Sequence, residues 1–295
     1  MNLAIILGTR PEIVKLSSII RECQKTNTPY FILHTGQHYS YNMDKVFFQQ
    51  LELPDAKYNL DVGSGSHGQQ TGKMLQGIEE ILQKEKPTVI LVQGDTNTVL
   101  AGALAAAKLQ IKVGHVEAGL RSYDRNMPEE INRIVADHTA DYLFAPTPQT
   151  AQILLKEGIS ENKVFMVGNT EVDALQQNLK IAKTKTDILQ QLNLKPEEFM
   201  LATSHRQENV DNKTRFQGII KGLQAIQNEL NIPLIYPIHP RAKKMLNDFN
   251  INTSGLTLTE PQDYLSFLML ESQAKLVLTD SGGVQKEAVL LGIPC

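Results

Sequence analysis

The chain has 295 residues, 41% hydrophobic and 21% charged, with a formal net charge of −3. That composition belongs to a folded protein long enough for two domains, and it lacks the basic surplus that nucleic-acid binding draws on, so no nucleic-acid partner is expected. No run approaches the roughly eighteen apolar residues of a membrane span, the opening apolar run is too short for a signal peptide, and Cys23 and Cys295 form neither a disulfide framework nor a metal knuckle, so a cytoplasmic setting without a membrane partner is expected.

Short strand-like runs alternate with helix-length stretches from the start. LAIILG at 3–8 leads into a helix expected over 11–26, and YFILHTG leads into one over 38–51. A helix over 68–85 precedes TVILVQGD, and another over 98–109 follows it; IKVGHVEAG, YLFAPT and KVFMVGN continue the series. Most of these runs are apolar at consecutive positions, as in parallel strands covered by helices on both faces, so a doubly wound α/β fold is expected. A polar helix over about 171–191 then leads to a second series, FMLATSH, LIYPIH, LTLTEP and KLVLTDSGG. Two doubly wound lobes are expected, 1–170 and 171–295. The final LLGIPC is a turn of a kind that leads into another strand, so the second lobe is expected to be incomplete.

Open parallel sheets bind ligands beyond the carboxyl ends of their strands, where this sequence concentrates its polar residues. In GTRPE, Gly8 permits a tight turn, Pro11 suits a first helical turn, and Arg10 is placed to hold an anion with free backbone N–H groups. A capped helix with a surface arginine is the plainer reading. In DSGGVQKE, Ser281 and Gly282 open a helix in the manner of a phosphate site, and Glu287 is spaced to accept ribose hydroxyls; an ordinary strand–helix turn is the alternative. His205 and His239 end two strands of the second lobe, each with an arginine close behind. Asp95 and Glu117 end two strands of the first lobe, and Glu129 and Glu130 open the helix after Pro128. Carboxylates gathered in one cleft are candidates for proton transfer. Glu130 reads as a surface residue, and Arg133 is spaced to pair with Glu129.

The ordered set GTRPE, GQH, QGDT, GHVEAGLRS, MPEEINR, SHR-EN, PIHP and TDSGGVQKEA closely resembles the non-hydrolysing UDP-N-acetylglucosamine 2-epimerases. The resemblance implies two facing doubly wound lobes of the glycosyltransferase-B type and a homodimer. It implies reversible conversion of UDP-N-acetylglucosamine to UDP-N-acetylmannosamine for surface polysaccharide synthesis, through elimination of UDP and a 2-acetamidoglucal. No metal and no redox or other cofactor is implied. By resemblance Asp95, Glu117, Glu129 and His205 are catalytic, and Arg10 and Lys15 lie near the phosphates and sugar. His239, Ser281, Gly282 and Glu287 match nucleotide-binding positions. The sequence departs from the family's pattern of activation by a second UDP-N-acetylglucosamine: Gln37 and His38 are kept, but Ser40 and Lys73 replace the expected glutamine and arginine. A 2-epimerase of a UDP-diacetamido-uronic acid, a glycosyltransferase of the same architecture, and an inactive nucleotide-sugar binding fragment are the competing readings.

Overall fold

The computed structural model describes residues 2–37 and 41–295. The first apolar run forms β1 (Leu3–Leu7), with all five side chains buried. It is followed by α1 (Arg10–Lys25), β2 (Tyr30–His34), α2 (Tyr41–Gln50), β3 (Tyr58–Asn59), α3 (His67–Glu85), β4 (Val89–Gln93), α4 (Asn97–Lys108) and β5 (Lys112–Val116). Next come α5 (Pro128–Thr139), β6 (Tyr142–Ala145), α6 (Pro148–Lys156), β7 (Val164–Met166) and α7 (Thr170–Lys185). The seven strands make one parallel sheet in the order β3-β2-β1-β4-β5-β6-β7. Leu3 pairs with Tyr30 on one side and Val89 on the other, so the strand order reverses between β1 and β4. A crevice at such a reversal is where doubly wound sheets bind ligands.

Alternate residues of each strand face opposite ways. Ala4, Ile6, Leu33, Ile90, Val92 and Leu143 form one buried face, packed against Met74, Ile78 and Leu82, which share a stripe of α3 at four-residue spacing. Ile78 is fully buried, and truncating such a side chain to alanine costs about 2–5 kcal/mol. On the other face a cavity of about 560 Å³ lies over β4 to β6, lined largely by apolar groups such as Leu91, Val116, Tyr142 and Phe144. Near it Phe165, Met166 and Val167 are exposed, so the expectation of strands covered on both faces fails at β7.

The chain divides into two compact units, Met1–Ala174 and Leu175–Cys295, and the division falls within α7. The single helix expected over 171–191 is two: α7 ends at Lys185 and α8 (Ile188–Gln191) restarts after Asp187. Between them the Thr186 hydroxyl bonds Ser266 Oγ at 2.9 Å and also accepts from the Ile188 N–H. Short polar side chains that bond locally in this way compete with helix continuation.

The second unit contains β8 (Met200–Thr203), α9 (Gln207–Val210), α10 (Lys213–Leu230), β9 (Leu234–Pro237), α11 (Pro240–Asp248), β10 (Thr257–Thr259), α12 (Tyr264–Gln273), β11 (Leu276–Thr279) and α13 (Gly282–Leu291). Its parallel sheet runs β10-β9-β8-β11, with the reversal between β8 and β11. The core gathers Met200, Ala202, Phe216, Ile220, Leu234 and Tyr236. Tyr236 is fully buried and satisfies its hydroxyl by donating to the Ser204 carbonyl at 2.8 Å.

Candidate active site

Glu117 follows β5 with φ +67°, a left-handed conformation that costs a non-glycine residue about 1–2 kcal/mol. The bend leaves its side chain buried, with the carboxylate at the sheet's carboxyl end. Lys15 Nζ, from the second turn of α1, donates to both carboxylate oxygens at 3.0 Å. Gln93 Nε2, at the end of β4, donates to Oε2 at 2.5 Å. The Lys15 ammonium also lies 4.0 Å from Glu171. Three elements of the reversal region thus meet around one carboxylate, and Lys15 and Glu117 are brought together across 102 positions of sequence.

Asp95 ends the neighbouring strand and pairs with Arg133 Nη2 at 2.5 Å. Its carbonyl accepts from Asn132 Nδ2 at 2.9 Å. Arg133 reaches from there to Glu130 at 2.8 Å, and not to Glu129 as its spacing suggested. Glu130 is buried, which corrects the surface reading: its two oxygens accept the Ser122 and Tyr123 N–H groups, each at 2.9 Å. Burial opposes its charge, but the Ser122 N–H, the Arg133 guanidinium and the Tyr123 N–H prevail and hold its carboxyl down at about 2. Glu130 therefore ties the 117–127 loop to α5. The Glu129 side chain is half-buried and makes no hydrogen bond or ion pair among the described residues.

The GTRPE turn differs from its sequence reading in two ways. Gly8 has no left-handed φ; it is there because a Cβ would overlap Thr35 Oγ1 and crowd Thr98. The Gly8 and Thr9 N–H groups donate to Glu12 Oε2 at 2.7 and 2.8 Å, so this chain's own carboxylate takes the donors expected to hold an anion. Burial pushes the Glu12 carboxyl up, against the bonds from Thr96, Gly8 and Thr9. Arg10 Nε donates to Asp44 at 3.2 Å, and its guanidinium lies 4.9 Å from the Phe47 ring centroid. Gln37 is structural, accepting from the Thr98 N–H at 3.1 Å and hydroxyl at 2.9 Å, while His38 and Ser40 lie outside the described residues. Lys73 is exposed on α3.

In the second unit the organising group is Asp280, the first residue of DSGGVQKE and not one of the candidates chosen from the sequence. It accepts from Ser204 Oγ, the His205 and Arg206 N–H groups and Asn209 Nδ2 at 2.8–3.2 Å, and its Oδ1 lies 3.3 Å from His205 Nδ1. Burial raises its carboxyl, but these donors, Asn209 foremost, hold it below the usual range. His205 and Asp280 thus meet at the β8–β11 reversal, with Ser281 next in the chain. Ser281 Oγ caps α13 by accepting from Val284 N–H at 3.5 Å. A Cβ added at Gly282 meets nothing within 4 Å, so packing within the unit does not require glycine there. His239 caps α11, its Nδ1 accepting the Arg241 N–H at 3.2 Å. Glu287 lies beside Glu271, whose carboxyl is pushed up to about 9 by burial and by the Glu287 charge.

The large cavity over β4 to β6 has the wrong chemistry for a sugar nucleotide. Its lining is mostly apolar and includes none of Lys15, Asp95 or Glu117. The polar clusters at the two sheet reversals are the better candidates, on the strength of their convergent charged groups.

Two doubly wound parallel-sheet units, each with charged side chains collected at its reversal, define an α/β protein of the glycosyltransferase-B class. Similarity to MurG of Acinetobacter baumannii at a TM-score of 0.53 and 14% identity, over 99% of this chain and 76% of that one, supports the fold alone. The chain belongs to the UDP-N-acetylglucosamine 2-epimerase family, whose profile matches residues 21–295. It is 58% identical over 302 residues to the UDP-N-acetylglucosamine 2-epimerase of Methanocaldococcus jannaschii, covering 100% of this chain and 82% of the relative. The crystal structure of the Methanocaldococcus jannaschii UDP-GlcNAc 2-epimerase in complex with UDP-GlcNAc and UDP matches with a TM-score of 0.84, over 100% of this chain and 83% of that one. A UDP-2,3-diacetamido-2,3-dideoxy-D-glucuronate 2-epimerase of Pseudomonas aeruginosa is 41% identical over 299 residues, 100% of this chain and 82% of the relative.

Proposed function

We propose that this chain interconverts UDP-N-acetylglucosamine and UDP-N-acetylmannosamine by eliminating and re-adding UDP. The C2 hydrogen of this sugar is not next to a carbonyl, so direct deprotonation gives no stabilised anion. In the proposed route a base takes the C2 proton while the C1–oxygen bond to UDP breaks. The C2–H electron pair becomes the C1–C2 double bond of 2-acetamidoglucal, and UDP leaves with the C1–oxygen pair. UDP then returns to C1, and a proton arrives at C2 on the opposite face.

The observation that carries this reading is the cluster at the β1–β4 reversal. Glu117 is held by Lys15 and Gln93 beside the Asp95–Arg133 pair, so two carboxylates are fixed at neighbouring strand ends. Fixed, hydrogen-bonded carboxylates suit proton transfer at a defined carbon. Asp95, Glu117 and Glu129 are the proposed proton-transfer groups, and His205, oriented by Asp280, is the fourth catalytic residue. Arg10 and Lys15 are assigned to the phosphates and sugar, where cations stabilise departing UDP. His239, Ser281, Gly282 and Glu287 are assigned to the nucleotide. A homodimer, a cytoplasmic location, independence from metal and redox cofactors, and supply of surface polysaccharide synthesis go with this reading by family resemblance.

A relative at 41% identity supports the diacetamido-uronate reading, against 58% for the UDP-N-acetylglucosamine enzyme. Incubation with each nucleotide sugar separately, followed by proton NMR, decides between them. The proposal expects the C2 epimer and traces of glucal from UDP-N-acetylglucosamine. Turnover of the uronate alone overturns it.

A further inference from the structure

Behind Gly94 and Glu117 lies a set of buried charges that none of these roles uses. His115, on β5, is 1% exposed. Its Nδ1 lies 2.7 Å from Asp137 Oδ1, and its Nε2 lies 2.8 Å from the Gly94 carbonyl oxygen. A carboxylate and a carbonyl can only accept. Neutral imidazole has one N–H and would set its other lone pair against oxygen at hydrogen-bond distance. Only the doubly protonated ring satisfies both partners. We propose that His115 is a positioning residue that works as a permanent buried imidazolium, fixing the turn that carries Gln93 and Asp95 and, through Asp137, the bend that aims Glu117.

The connections run to both sides of the candidate site. On one side, the Gly94 carbonyl held by Nε2 lies between Gln93, which donates to Glu117, and Asp95, which pairs with Arg133. On the other, Asp137 Oδ2 accepts the Gly119 N–H at 3.1 Å and Arg121 Nη1 at 2.7 Å. Gly119 has φ +82°, and a Cβ there would overlap the Thr150 carbonyl, so the chain just after Glu117 has little freedom once this bond is made. Arg121, in turn, pairs with Glu157. The groups facing the ring are the Asp137 carboxylate from α5, the Gly94 carbonyl after β4, and the Glu117 charge further along its own chain. Burial works against the ring's charge, but these groups outweigh it and place His115 above the ordinary histidine range. Asp137 is correspondingly held below the usual carboxylate range: burial opposes its charge, but His115 and Arg121 prevail. With one imidazolium, one guanidinium and two carboxylates, the cluster is neutral as a whole, which limits the cost of burying it.

The protonation claim stands without the functional reading; only the kinetic arm of the test rests on it. Long-range proton–nitrogen correlation spectra of the ¹⁵N-labelled wild-type chain report the state of each histidine ring. One of the seven histidines should show both ring nitrogens protonated at pH 8, and that signal should vanish in His115→Gln. Seven neutral rings at pH 8 overturn the imidazolium. For positioning, a crystal structure of His115→Gln should show the Gly94–Asp95 turn or the Glu117 carboxylate displaced by more than about 0.5 Å, the tolerance of a working site. Both unmoved overturns the positioning role. With UDP-N-acetylglucosamine, His115→Gln and Asp137→Asn should lower kcat about 100-fold while KM stays within about threefold, the pattern of misplaced chemistry with intact binding. Unchanged kcat in folded variants contradicts the inference. If the wild type itself fails on this sugar, the functional reading falls, while the spectra and the crystal structure still decide the inference.

Discussion

Removing the Glu12 side chain should cost more than any surface charge in the first unit. Its Oε2 accepts from Gly8 N at 2.7 Å, Thr9 N at 2.8 Å and Thr9 Oγ1 at 3.0 Å, and its Oε1 accepts from Thr96 Oγ1 at 2.6 Å. In Glu12→Ala the two hydroxyls can turn elsewhere, but the two backbone N–H groups cannot. Each buried unsatisfied donor costs about 1–3 kcal/mol, so the loss is about 2–6 kcal/mol. Glu12→Gln keeps one oxygen over Gly8 and Thr9 and turns its amide N–H₂ to Thr96 Oγ1, which can accept, at a cost of about 1 kcal/mol. The pH dependence has a definite sign. Burial raises the folded carboxyl above its ordinary 4.5, so the Glu12 contribution is complete below that value and declines as pH rises through the folded one. Glutamine has no such dependence, so Glu12→Gln should gain on the wild type between pH 5 and pH 8. The assay is urea unfolding followed by circular dichroism at both pH values, read on the transition of the first unit because two units need not unfold together. A loss below about 1 kcal/mol for alanine, or a glutamine variant as unstable as the alanine one, would mean that the Gly8 and Thr9 N–H groups do not depend on Glu12.

Asp280→Asn should destabilise the second unit and loosen His205, because an amide N–H₂ then faces a set of donors; urea midpoints and the His205 ring resonances measure this, and no change in either contradicts it. The wild-type advantage should be present above the ordinary 3.8 and shrink as pH falls further, since the folded carboxyl is depressed. Glu130→Gln should cost on the order of 2 kcal/mol at pH 7, a figure set below the full shift from 4.5 to about 2 to allow for screening. That gap should close as the pH is lowered from 4.5 toward 2; a gap independent of pH in urea unfolding would remove the charge from the explanation. Asp95→Asn, Glu117→Gln and Glu129→Gln should each lower turnover about 100-fold or more, with nucleotide-sugar affinity by calorimetry changed far less. A variant in which only affinity falls takes that residue out of proton transfer.

The doubly wound pattern was legible because central strands such as β1 are buried on both faces and so are apolar at every position. Two-residue β3 carries no such signal; it exists through edge pairing of Tyr58 with Leu33. The 171–191 stretch looked like one helix because its composition suits a helix, and the break comes from local bonds of Thr186, which periodicity does not register. Candidate positions were legible too, since side chains at strand ends stand out in a βα series. Their partners were not. Glu129 and Glu130 are equivalent by composition, and Arg133 is spaced for either; the choice is made by two loop N–H groups that bring the Glu130 carboxylate inward. Lys15 and Glu117 meet only because the sheet sets α1 near the end of β5, a fact of topology rather than spacing. His115 sat in view within the same motif, but its role depends on two acceptors contributed by Gly94 and Asp137, 21 and 22 positions away.

The proposed reaction breaks and remakes the C2–H bond, and solvent isotope exchange reads this directly. The protein is incubated with UDP-N-acetylglucosamine in D₂O, and the sugar protons are followed by NMR. Loss of the C2 proton signal by deuterium incorporation is expected, together with appearance of UDP-N-acetylmannosamine. Epimer formed with the original C2 hydrogen retained, or neither exchange nor epimer from active-concentration protein, contradicts it.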